Sequence, residues 1–267
     1  MATVAQTSPK PITDDTGFFL RAAIAMALVI AAGFSLQLGM GRSTFSAPLL
    51  IHLHAIVFMG WITLYLLQNF FVATGRMTLH RRLGWIGAGW MVAMLILGLM
   101  VTVAMARRGH VPFFFQPLHF LIFNPVGLFT FVGLTVAAIM MRRRTEWHRR
   151  LHFCGTALLM APGFGRLLPL PLLQPWSFEA TFAAVMIFPA VGVLSDIRRT
   201  GRVHPAWRWG MCAMIGSLLV TQAITYSPVG GAIYRAVTAG SPGAAVPPLE
   251  FAPPPAGPLM TGRVTPT

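Results

Sequence analysis

Eight histidines are the side chains of this sequence best able to do chemistry near neutral pH, and four of them recur in a pattern. Residues 79–85 read LHRRLGW and residues 147–153 read WHRRLHF, and each cluster stands directly ahead of a long apolar run. His54 and His80 bracket most of one apolar run, as His119 and His148 bracket another. A neutral imidazole binds a metal through one ring nitrogen. Two imidazoles on facing helices can take both axial positions of a haem, whose planar ring fills the space between them. The arginines beside them (Arg81, Arg82, Arg149 and Arg150) are bidentate donors suited to carboxylates such as haem propionates.

The elements that must hold these histidines are membrane helices. Of 267 residues, 55% are hydrophobic and 10% charged, and a span needs about 20 mostly apolar residues. Seven apolar runs qualify, at roughly 18–40, 49–74, 83–106, 118–141, 151–173, 178–195 and 207–226. The expected fold is an all-α integral membrane protein with a cytoplasmic segment at 1–17 and a transmembrane domain at 18–226. The repeated His spacing makes spans two to five a duplicated hairpin, closing into a four-helix core. The segment at 227–267, with SPGAAVPPLEFAPPPAGP, suits an extended external tail.

The net charge of +14 comes from short arginine clusters between apolar runs rather than one basic face, which excludes a nucleic-acid partner. Fourteen of the 20 Lys and Arg fall on one side (Lys10, Arg21, Arg76, Arg81, Arg82, Arg142 to Arg144, Arg149, Arg150, Arg198, Arg199, Arg202 and Arg208). The positive-inside rule then puts the N-terminus in the cytoplasm of a bacterial inner membrane and the C-terminus outside. His54 and His119 belong to the outer ends of spans, and His80, His148 and His152 to the inner side.

The chain resembles a family of uncharacterised bacterial multi-pass membrane proteins of the domain-of-unknown-function class, on GR-x3-HRRLGW-x-G at 75–87 and WHRRL at 147–151. More remotely it is similar to the ascorbate-reducible di-haem transmembrane cytochromes b, over about residues 50–170. That likeness implies haem b held by His54 and His119 on the outer side and by His80 and His148 on the inner side. His152, one turn from His148, is an alternative inner ligand. His148 and His152 together could also hold a transition metal. His52 and His54 point about 200° apart on a helix, so one of them is a bystander.

Arg166, deep in span five and flanked by Pro162, Pro169 and Pro171, needs an anionic or polar partner. Glu179 and an outer propionate are the candidates, and the prolines should kink or break this helix. The only acidic residues are Asp14, Asp15, Glu146, Glu179, Asp196 and Glu250, too scattered for paired-carboxylate hydrolysis, and no Walker lysine, GxSxG or HExxH stretch is present. Three readings follow. One is a b-type electron carrier exchanging electrons with a quinone. Another is a structural or assembly subunit, anchored to lipid by its arginines and to other membrane subunits by its tail. The third is a small-molecule transporter built on the kinked fifth span.

Overall fold

The computed structural model describes residues 14–43 and 45–255. Their regular elements are all helical: α1 (Asp14–Gly39), α2 (Leu49–Ala73), α3 (Met77–Arg108), α4 (Pro117–Met140), α5 (Thr145–Leu158), α6 (Ala161–Leu167), α7 (Ser177–Thr200), α8 (Pro205–Thr225) and α9 (Pro228–Thr238). Short 3-10 turns lie at Leu170–Leu173 and Pro242–Ala245. Five helices, α1 to α4 and α7, are long and apolar enough to cross a bilayer, and six spans result if α8 and α9, bent by 77°, count as one. Apolar helices of this length place the chain in a lipid bilayer as a multi-pass protein.

The fifth expected run is divided. Pro162 has no N–H to give and its ring crowds the carbonyl of Leu158, which is where α5 stops. Pro169 then forces Leu168 into an extended conformation (φ −79°, ψ 146°), ending α6 at Leu167. The break expected around Arg166 is therefore real, and it leaves two helices too short to count as one straight span.

Both HRRL clusters are helical, since α3 starts at Met77 and α5 at Thr145. Arg81, Arg82, Arg149 and Arg150 stand just past the first turns, where a positive charge gains nothing from the helix dipole. Their position therefore reflects what they meet at that end of the bundle, not helix stability.

Helices α2, α3, α4 and α5 pack in succession, and α5 also contacts α7 and α8. Ring contacts carry α5 across to α1, through Phe153 and Phe18, and to α2, through His152 and Trp61. One apolar core joins α1 to α5, α7 and α8, with Met94, Phe131, Phe153 and Trp207 fully buried in it. Trp61 and Trp207 are core residues, whereas Trp85, Trp176 and Trp209 are exposed as interface tryptophans should be. Helix contacts are closest at glycines. A Cβ on Gly33 of α1 would lie 2.6 Å from the Gly163 carbonyl oxygen of α6.

The expected tail is largely folded. Helix α9 turns back so that Tyr234 is buried with Ala106 of α3 and with Leu118, Leu121 and Ile122 of α4. Tyr234 donates its hydroxyl to Gly243 O at 3.1 Å, and Arg107 Nη1 donates to Val237 O at 2.7 Å. The Leu118 N–H donates to Pro248 O at 2.8 Å. A segment too poor in apolar residues to form a core has borrowed one from α3 and α4. Residues 1–13 of the expected cytoplasmic segment and 256–267 of the tail lie outside the described residues.

Candidate functional site

The end of the bundle bearing the HRRL clusters gathers three histidines. His80 sits in the first turn of α3 and His148 in the first turn of α5, with ring centroids 6.3 Å apart and planes at 82°. His152 lies one turn deeper, 5.8 Å from His148 by centroid, between Trp61 at 5.7 Å and Tyr65 at 5.6 Å on α2. The inner pair expected from sequence is thus brought together.

His148 Nδ1 stands 2.8 Å from the Ala138 carbonyl oxygen. A carbonyl can only accept, so Nδ1 carries the proton and, in the neutral ring, Nε2 keeps a free lone pair. Metal-ligating histidines are commonly held in this way, the second ring N–H going to a carbonyl or carboxylate. His80 Nδ1 and His152 Nδ1 are buried with no hydrogen-bond partner, as is Oε1 of Gln68, whose amide lies against Gly84 one turn beyond His80. Each such group costs about 1–3 kcal/mol if nothing satisfies it.

The separation of the two rings is the one a bis-imidazole haem site would need. In an axial pair each nitrogen stands about 2 Å from the metal with its ring centre roughly another 1 Å out, close to half of 6.3 Å. His80 and His148 would be the two protein ligands that such a group requires.

The flanking arginines divide into two kinds. Arg81 and Arg82 are exposed at the mouth of the cluster. Arg149 and Arg150, expected to meet propionates, have protein partners instead. Arg149 pairs with Asp15 and Glu146, and Arg150 with Asp196 and Glu146. Arg199 joins Asp15 at 2.6 Å and Asp196 at 3.0 Å, and Trp207 Nε1 donates to Asp196 Oδ2 at 2.9 Å. The reason is burial: Arg150 is 2% exposed, and a guanidinium out of water needs a paired carboxylate.

At the opposite end the expected pair stays apart. His54 packs on Phe58 of its own helix at 4.1 Å, while His119 is surrounded by Phe178 at 4.7 Å, Phe123 at 5.6 Å and Tyr226 at 6.2 Å. No ring contact joins the two. His52 Nε2 stands 3.1 Å from Phe45 O. Arg166 lies over the Phe34 ring at 3.9 Å and donates from Nη1 to Pro162 O at 2.8 Å. Its expected partner Glu179 instead accepts from Gln222 Nε2 at 2.5 Å.

Sequence reasoning missed Trp61, Tyr65 and Gln68 around the inner histidines and the three carboxylates around Arg150. The Glu146 and Arg150 pair was readable at i, i+4. Asp15 and Asp196 meet it only through helix packing. No protein-family model, curated protein or solved structure matches this chain.

Proposed function

We propose that this chain is a b-type electron carrier of the bacterial cytoplasmic membrane, with haem b held between His80 and His148. The observation that carries the reading is the ring separation of 6.3 Å together with His148 Nδ1 tied to Ala138 O, which leaves Nε2 aimed away from that bond. Bound haem would supply one-electron exchange, with a membrane quinone as the redox partner. The protein's part is to fix both imidazoles, to exclude water with Trp61 and Tyr65, and to offer Arg81 and Arg82 to the propionates at the membrane edge. His152 stands behind His148 as a packing neighbour in this arrangement.

The same reading takes α5 and α6 as one broken span, giving seven in all, and puts the arginine-rich HRRL end in the cytoplasm. It departs from the di-haem cytochromes in expecting one haem, because His54 and His119 have separate surroundings. The subunit alternative loses its main argument, since α9 and the residues after it cover the chain's own α3 and α4.

The test is a reduced-minus-oxidised spectrum of the purified protein, with haem extracted and counted per chain. One haem per chain, lost in His148→Ala and in His80→Ala and kept in His54→Ala, is the expected result. A colourless wild-type protein made with ample haem would sink the proposal.

A further inference from the structure

The end of the bundle opposite the HRRL clusters holds a second polar group of residues that the haem reading does not use. Glu179 opens α7, and Gln222 and Thr225 form the last turn of α8, followed by Tyr226. His119 lies in the first turn of α4 and is 6% exposed. Phe178 touches His119 while its neighbour Glu179 bonds Gln222, and the Tyr226 ring reaches His119, so the three helices converge here.

Four buried polar atoms at this place have no hydrogen-bond partner: Glu179 Oε2, Gln222 Oε1, Thr225 Oγ1 and His119 Nε2. Thr225 is 1% exposed, so its hydroxyl is shut away from water. Gln222 gives one of its two amide N–H bonds to Glu179 Oε1, and Tyr226 gives its hydroxyl to Gln116 Oε1 at 3.0 Å. The other carboxylates described above, Asp15, Glu146 and Asp196, are all in ion pairs with arginine, whereas the side chains gathered round Glu179 carry no positive charge. Aromatic rings complete the wall: Phe178 stacks on Phe123 at 4.8 Å, and Phe115, between α3 and α4, meets Phe123 at 5.1 Å.

We infer that this cluster is a binding site for a small organic cation carrying a protonated primary amine. An ammonium group has three N–H donors and no acceptor. That matches a carboxylate oxygen, an amide oxygen and a hydroxyl that each lack a donor. Aromatic faces attract the same charge, and a carboxylate at the membrane edge gains a counter-ion. An anion would be repelled by the Glu179 carboxylate. A quaternary ammonium has no N–H and leaves the three oxygens unsatisfied. The inference is independent of the haem.

The experiment is calorimetric titration of the purified full-length protein, in nanodiscs near neutral pH, with 2-phenylethylammonium, butylammonium, tetramethylammonium, and sodium and potassium chloride in turn. Saturable binding of the two primary amines but not of tetramethylammonium is the expected result. It should weaken about tenfold or more in Glu179→Gln and severalfold in Thr225→Val, with the visible spectrum unchanged. Absence of saturable binding by either primary amine would overturn the assignment, as would equal binding of tetramethylammonium. Heat from sodium or potassium alone would likewise overturn it, by making the site one for inorganic cations. Should Glu179→Gln fail to fold, Thr225→Val and competition between the two amines on the wild type decide the matter.

Discussion

Arg150 of α5 grips Asp196 of α7 with two parallel bonds, Nε to Oδ2 at 2.9 Å and Nη2 to Oδ1 at 2.7 Å, where both side chains are almost wholly buried. Asp196 also accepts from Trp207 of α8, so one carboxylate fastens three helices. Removing the Asp196 charge leaves Arg150 with Glu146 as its near carboxylate and takes the anionic acceptors from its buried Nε and Nη2. Asp196→Asn should cost about 3 kcal/mol or more, seen as a lower unfolding temperature in detergent. An unchanged midpoint would mean that water or lipid headgroups reach Arg150.

Glycine 192 is where α7 meets the Trp207 indole. A Cβ added there would overlap the ring, so Gly192→Ala should destabilise by about 1–3 kcal/mol. Gly87 in α3 has nothing within 4 Å of the same position, and Gly87→Ala should be neutral or stabilising by up to about 1 kcal/mol. Equal behaviour of the two variants would contradict the packing.

A pH effect is expected at the loop before α8. His204 Nδ1 accepts the Ala206 N–H at 3.1 Å and caps that helix. Burial, and next the Arg150 guanidinium, hold the ring below its ordinary value of 6.5, while Glu146 and Asp196 pull it up and Arg149 down. The folded ring takes a proton less readily than the unfolded one. The stability it confers is full above pH 6.5 and is lost as pH falls through the unfolded value and then the folded one. Unfolding temperatures measured from about pH 8 to about pH 5.5 should fall less steeply in His204→Asn, which keeps a cap without titrating. Identical slopes would remove His204 from the account.

Tyr234 holds the C-terminal segment down through its ring and its hydroxyl. Tyr234→Ala should cost about 3 kcal/mol and release the chain after α9. Limited proteolysis would then cut between residues 239 and 255 while the membrane helices stay intact. A variant as resistant as the wild type would show that the bonds of Arg107 and Leu118 suffice.

Apolar runs alone locate α2 (expected 49–74, observed Leu49–Ala73) and α4 (expected 118–141, observed Pro117–Met140), because lipid demands that such runs satisfy their own backbone. The starts of α3 and α5 are less legible. Hydropathy drops at the arginines although the helix continues through them, so both begin earlier than the expected 83 and 151. Of the candidate site, the meeting of His80 and His148 follows from the repeated spacing. The failure of His54 and His119 to meet does not, since equivalence in sequence fixes the height of a residue along its helix but not the direction in which it faces. The folding of the tail was hidden for a related reason: its core belongs to other helices.

That borrowed core sets an order of assembly. The segment that seals Ala106 and Leu118 is synthesised after every helix it covers, so α3 and α4 must enter the bilayer with those ends bare. The bundle closes at that end only when α9 has folded back onto α3 and α4. A chain halted before α9 would keep its membrane helices and its HRRL end, but with an apolar socket open at the other, available to chaperones or to another chain that offers a tyrosine in the same way.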